Sequence, residues 1–249
     1  MRIESQGRCA VVAGGVDKVG RMARLDSINR LDKLYQRRFG SDLAFRRDMW
    51  QALCQGFFQR YVDPDTTVLE IGAGYCEFIN SIHARRKIAL DVNPDTARYA
   101  QPDVEVIRSS STEMSAVPSG SVDVVFASNF FEHLSRDAIL ETMHEVARVL
   151  RPHGRFLILQ PNIRYCWRDY WMFFDHITPL DQYSLAEALH MSGFRVAQMI
   201  VRFLPYTTHG RLPNALFLVN LYLKLPILWR LFGQQTFVVA ELASPHGGR

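Results

Sequence analysis

Between Thr67 and Val201, short β-branched runs alternate with helical segments at a spacing that leaves little architectural choice. Thr67–Ile71, Lys87–Leu90, Val104–Ile107, Ser121–Ala127, Arg155–Gln160 and Phe194–Val201 read as strands. Glu77–Ala84, Thr96–Ala100, Arg136–Leu150 and Ser184–Met191 read as the helices between them. Pro152-His153-Gly154 is expected to break the chain after the third of these, and Gly193 to close the fourth. Strands that alternate with helices of this length form a mostly parallel sheet, because each crossover helix must cover a face. A doubly wound α/β domain is therefore expected. Thr236–Leu242 supplies one further strand.

Two segments stand outside this alternation. From about Arg21 to Tyr61 apolar residues recur at three and four (Leu25, Ile28, Leu31, Leu34, then Met49, Trp50, Leu53, Phe57), so residues 1–62 are expected to form a helical N-terminal cap on a domain of residues 63–249. Residues 203–235 intervene before the last strand and read as a helical insertion, roughly thirty residues where a hairpin would suffice. Within it, 212–232 is apolar but interrupted by Pro213, Asn214, Asn220, Lys224, Pro226 and Arg230, which argues against a membrane span. A lid, a homodimer contact and a peripheral membrane element, with Trp229, Lys224 and Arg230 at the interface, remain open.

With 48% hydrophobic and 22% charged residues in 249, the chain has the composition of a globular protein. Its net charge of +4 is spread thinly, so nucleic acid is not the favoured partner. The cysteines Cys9, Cys54, Cys76 and Cys166 lack paired metal-ligand spacing; reduced thiols and no metal are expected. The N-terminus shows no sustained apolar stretch, and a cytoplasmic location, peripheral at the membrane if 212–232 touches lipid, is the expectation.

The chemistry begins at Val68–Gly74 (VLEIGAG), where a strand runs into Gly72-Ala73-Gly74 and then a helix. Glycines there let backbone approach a ligand at the carboxyl end of the sheet. A pyrophosphate-binding turn continues to a third glycine, whereas this chain has Glu77 at that place and Glu70 before the turn. Two carboxylates repel phosphate and suit a cationic ligand without phosphates, such as S-adenosylmethionine (SAM). Asp91 ends the next strand, where a carboxylate accepts ribose hydroxyls or, alternatively, caps the helix beginning near Asn93.

Taken in order, VLEIGAG, ALDVNPD (89–95), SVDVVFASNFFEHL (121–134) and VLRPHGRFLILQPN (149–162) resemble the successive motifs of class I SAM-dependent methyltransferases, of the type that methylates small molecules, sugars and lipids. The resemblance covers roughly Asp65–Asn162. It implies a Rossmann-like seven-stranded sheet with its last strand antiparallel. It also implies SAM at Glu70, Gly72, Ala73 and Gly74, with the ribose on Asp91 and Val92. Adenine is then expected near Ser111 and Thr112, where many members carry an Asp, and the pocket wall at Asn129 and Phe130. Glu132-His133-Leu134 matches a frequent signature of the family, in which His133 reads as a structural hydrogen-bonding residue or, alternatively, a catalyst.

Neither an Asp/Asn-Pro-Pro-Tyr/Phe segment nor a Pro-Cys pair is present, which demotes the nucleic-acid methylating classes and leaves hydroxyl acceptors in front. For an alcohol a nearby base helps. His176 is the candidate, with Asp175 as its orienter, on a segment expected to leave the acceptor edge of the sheet. Tyr165, Trp167, Tyr170 and Trp171 offer an aromatic wall or simply core, and Arg164 and Arg168 offer an anion contact or solvated surface. A protein or RNA methyltransferase and a non-catalytic partner subunit with this fold are the alternatives.

Overall fold

The computed structural model describes residues 43–206 and 215–243. The first 42 residues of the expected cap, Cys9 and residues 207–214 of the insertion lie outside the described residues. The described chain opens with α1 (Leu43–Gly56) and a short 3-10 turn, Phe58–Tyr61. Next come β1 (Thr67–Ile71), α2 (Glu77–Ser81), β2 (Arg86–Asp91), α3 (Thr96–Tyr99), β3 (Val104–Arg108) and β4 (Val122–Ser128). A 3-10 turn at Phe131–His133 leads to α4 (Arg136–Val149), β5 (Leu150–Pro161), α5 (Ile163–Tyr170), α6 (Gln182–Met191) and β6 (Phe194–Ile200). The helices α7 (Leu216–Lys224) and α8 (Pro226–Phe232) precede β7 (Gln235–Leu242).

The seven strands form one sheet in the order β3-β2-β1-β4-β5-β7-β6. β1, β2, β3, β4 and β5 run parallel, and β7 is antiparallel to both β5 and β6. Successive side chains point to opposite faces. Val124 and Phe126 accordingly join a core with Trp50, Phe58, Phe78 and Phe237, while Val125 and Ala127 join one with Ile139, Met143 and Leu185. The first core is aromatic: Phe78 stacks on Phe126 with centroids 3.7 Å apart, and Trp50 meets the Phe126 ring edge-on at 6.1 Å. α1 thus packs into the sheet domain's own core.

Local chemistry sets most boundaries. Ser135 caps α4 by accepting from the Ala138 N–H, and Ile139, Met143 and Val146 bury one face. Asp181 and Ser184 close a capping box on α6, which stops before Gly193 at φ +83°.

Three expectations shift. α2 ends at Ser81 rather than Ala84, because Gln59 clamps the His83 backbone through both its N–H and its carbonyl, each at 2.9 Å. Pro152-His153-Gly154 does not separate a helix from a strand: α4 ends at Val149, and the triplet is a bulge inside β5, between the pairings Val122↔Leu150 and Val124↔Arg155. α5 is a helix where the sequence reading had only a segment leaving the sheet.

The insertion is anchored. Leu223 is buried, Tyr222 donates to the Phe203 carbonyl at 2.6 Å, and the Trp229 indole donates to the Tyr222 carbonyl at 2.7 Å. Among the described residues, no helix is long and apolar enough to cross a membrane. Cys54, Cys76 and Cys166 are buried free thiols; burial pushes Cys166 up to about 12. Replacing Phe126 by Ala removes the centre of the aromatic core and should cost about 3–5 kcal/mol of unfolding free energy in urea titrations, whereas a loss below 1 kcal/mol would show the rings to be dispensable.

Candidate active site

In this strand order β1 and β4 are neighbours whose crossovers leave in opposite directions, and the crevice outside their carboxyl ends is where open α/β sheets bind ligands. The turn after β1 is built by left-handed backbone: Gly72 at φ +66° and Gly74 at +49°. A Cβ on Gly72 would stand 2.3 Å from the Phe130 ring, so only glycine lets that aromatic lie against the turn. Around Gly74 no atom of the described residues lies within 4 Å of where a Cβ would be, which leaves open space.

Asp91 holds this turn. Its carboxylate accepts the Gly74 N–H at 2.7 Å and the Asn93 N–H at 2.8 Å. Burial raises its pKa, and these backbone bonds partly offset the rise. A carboxylate has about four lone-pair positions, so roughly two remain for further donors. Asp91 therefore organises the loop ahead of α3 while retaining acceptor capacity.

Glu70 behaves differently from expectation. It is buried on the α2 face of the sheet and accepts the Ile79 N–H at 3.0 Å. Cys76, the residue preceding α2, provides no side-chain cap, so Glu70 caps that helix from the neighbouring strand. Desolvation drives its pKa well above the usual carboxyl range; the Ile79 bond lowers it, and the charges of Glu77 and Asp91 raise it further. Glu77 forms a two-pronged ion pair with Arg46, at 2.8 and 2.6 Å. The carboxylates weighed against phosphate are thus a helix cap and a partnered ion, and the charge argument rests on Asp91 more than on them.

Ser111 is also placed elsewhere. Its hydroxyl is buried against Thr142 of α4 at 2.7 Å, while Thr112 pairs locally with Ser110 at 2.8 Å. Val92 is 40% exposed beside Asp91. Asn129 adopts φ +47° immediately after β4, and its side-chain oxygen is buried with no hydrogen-bond partner. An acceptor left in that state at the crevice suits a cationic or N–H-bearing ligand.

Beyond Phe130 lies a second cluster that the sequence reading only half assembled. The carboxylate and the backbone carbonyl of Asp175 approach Nδ1 of His133, at 3.2 and 3.3 Å. Burial alone would lower the His133 pKa, but the Asp175 hydrogen bond and the charges of Glu132 and Asp175 outweigh it and leave it raised. Glu132 is fully buried; desolvation raises its carboxyl while His133 and the Gln160 amide, which donates at 3.0 Å, hold it down. His176 is buried between the rings of Tyr170 and Phe173, with Nε2 3.4 Å from Tyr206 Oη and the His133 ring 5.0 Å away. Tyr170 belongs to the core, donating to the Thr178 carbonyl at 2.6 Å, whereas Trp167 and Trp171 are exposed. Gln160 and Tyr206 were not singled out from sequence, and Glu132 entered only as part of the Glu132-His133-Leu134 signature. The signal was the recurrence of an acid before a histidine, Glu132-His133 and Asp175-His176, whose spatial meeting no spacing rule foretells.

Residues 69–158 match the family model of a methyltransferase domain. A probable S-adenosylmethionine-dependent methyltransferase of Mycolicibacterium smegmatis is 32% identical over 157 residues, spanning 61% of this chain and 59% of that relative's length. Residues 69–158 are thus similar to a methyltransferase domain, and the chain spans about three fifths of that relative's length. Solved structures agree on the fold. A SAM dependent methyltransferase from Archaeoglobus fulgidus aligns with TM-score 0.59 and 22% identity over 81% of this chain and 97% of that one. The complex of the Haloferax volcanii Trm112 methyltransferase activator with a putative methyltransferase supplies a chain at TM-score 0.64 and 16% identity, covering 84% and 96%. SAM is the cofactor of the family, and the positive-φ glycine turn, the Asp91 carboxylate and the unpartnered Asn129 oxygen fit a cationic nucleoside.

The buried state of Glu70 has a consequence for stability. An ordinary unfolded Glu titrates near about 4.3, so a raised folded value means the fold favours the neutral acid. Its contribution is fullest below the unfolded value and is lost as pH rises through the folded one. Glu70→Gln retains an oxygen for the Ile79 N–H without the charge, and should gain stability relative to the native chain between about pH 5 and pH 8. Denaturant midpoints that differ by a constant amount across that range would contradict this account.

Proposed function

We propose that this methyltransferase transfers the methyl group of SAM to a hydroxyl oxygen of an amphiphilic, lipid-linked or glycan acceptor. In this reading Gly72, Ala73 and Gly74 receive the methionine end of SAM, and Asp91 and Val92 the ribose. Asn129 offers its buried oxygen to the ammonium group, and Phe130 closes the wall. In the same reading Thr112 meets the adenine, while Ser111 is bonded to Thr142.

The observation that carries the acceptor class is the surface around the second cluster. The segment that buries His176 turns Trp171, Met172, Phe174 and Ile177 to solvent, Phe174 at 94% exposure. α7 and α8 repeat the pattern: Leu223 and Trp229 face the core, while Phe217, Leu221, Ile227 and Leu231 face outward. Helices apolar on the face away from the core, with Lys224 and Arg230 among them, match elements that lie on lipid or grip a lipid tail. Tyr165, Tyr183, Arg202 and Arg230 line an open cleft that suits an anionic head group.

SAM supplies a methyl group already activated on a positively charged sulfur. The chain has three tasks: to align the acceptor oxygen, to exclude water and to take the hydroxyl proton. The new bond is oxygen to carbon, the broken bond is carbon to sulfur, and the proton passes to His176, seated beside the Asp175–His133 pair.

Calorimetry with SAM should show binding that Asp91→Ala abolishes, whereas a non-catalytic relative with a closed crevice would give no heat. His176→Ala should lower kcat toward a lipid-linked alcohol by about 10²-fold or more with SAM affinity retained. Methylation of RNA or protein but not of amphiphilic alcohols would overturn the acceptor assignment.

A further inference from the structure

Glu132, His133 and His176 each direct one ligand-type atom into a common space, all within 4.8 Å of one another. We propose that this trio is a binding site for one divalent transition-metal ion of the zinc or manganese type. Two imidazoles and a carboxylate form a donor set that such ions accept, with bonds of about 2.0–2.2 Å. Donors around an ion at that distance stand roughly 3.3 Å apart, so the cluster needs to contract by up to about 1.5 Å along its longest side.

Three features separate this arrangement from a chance meeting of polar side chains. First, the supporting shell is in place. Asp175 holds Nδ1 of His133 at 3.2 Å, which turns Nε2 toward Glu132 Oε1, 3.9 Å away. A carboxylate behind a histidine ligand is the usual means of fixing its tautomer and strengthening it as a donor. Gln160 does the same for Glu132, donating to Oε2 and leaving Oε1 toward the cluster. Second, the Glu132 side chain is 1% exposed, and a carboxylate that deep in the fold is stabilised by a positive charge nearby. Third, the ligands come from rigid places: Glu132 and His133 from a 3-10 turn fixed by β4, and His176 from a loop whose next residues, Ile177 and Thr178, donate their N–H groups to the Glu132 carbonyl at 2.9 and 3.2 Å. The two ligand-bearing segments are thus stitched together by main chain at the site itself.

An ion here bears on the acceptor chemistry of the proposed function, and its binding can be tested apart from it. When loaded, the ion would lower the pKa of a coordinated hydroxyl and stabilise the alkoxide that attacks the methyl group, and His176 would serve as a ligand. Without it, His176 takes the proton directly. Loss of activity in His176→Ala does not distinguish the two; metal content does.

The full-length chain, stripped with chelator and dialysed, is titrated with Zn²⁺, Mn²⁺ and Co²⁺ by calorimetry, with Co²⁺ absorption reporting coordination. The expected result is one equivalent bound, with nitrogen-ligand bands in the visible spectrum. Binding should be lost in His176→Ala and Glu132→Gln and weakened about 10- to 100-fold in Asp175→Asn. Retained SAM binding and circular dichroism in each variant show that the fold persists; Glu132→Gln is nearly isosteric and keeps the measurement interpretable if an alanine variant unfolds. Absence of stoichiometric binding of all three ions, or binding indifferent to Glu132→Gln and His176→Ala, overturns the site while leaving the SAM assignment standing.

Discussion

The carboxylate of Asp91 joins two strands' worth of loop. By accepting from Gly74 after β1 and from Asn93 after β2, it converts two flexible exits from the sheet into one crevice wall. Most of what surrounds the crevice depends on that bond. The left-handed turn at Gly72 and Gly74 is held open toward solvent, and Gly72 allows Phe130 to press in from β4. Glu70, one strand position before the turn, anchors the start of α2 from below. Buried charge is used here as scaffolding as much as for recognition, which explains why Asp91 and Glu70 both sit where burial disfavours ionisation.

Much of the architecture could be read from spacing. Parallel strands need covered faces and crossovers, so the alternation of β-branched runs with amphipathic helices left essentially one class of solution. Where the reading failed, a distant contact outweighed a local preference. Nothing near His83 announces that Gln59 will end α2, and Pro152-His153-Gly154 carries every local sign of a break, yet β4 tolerates it as a bulge. α5 was missed because its eight residues are few and largely aromatic or charged, and the Asn162 side chain that starts it by accepting the Arg164 N–H acts only once β5 has placed it.

The site divides along the same line. The placement of Gly72 and Gly74 in a left-handed turn, and of Asp91 at a strand end, was legible because position alone specifies it. Residues whose role depends on partners were not. Ser111 faces Thr142, Glu77 faces Arg46, and Asp175 bonds His133. Asp175-His176 and Glu132-His133 lie far apart in sequence, yet both Asp175 and His176 meet the His133 ring.

The order of the sheet also governs how the molecule must be assembled. Among the described residues β6 pairs with β7 alone, and β7 lies between it and β5 although it follows both in the chain. While a ribosome is still making α7 and α8, residues 194–200 therefore have no place to dock, and the outer edge of β5 stands open to any passing chain. Closure arrives only with residues 235–242, which insert like a wedge and satisfy both edges together.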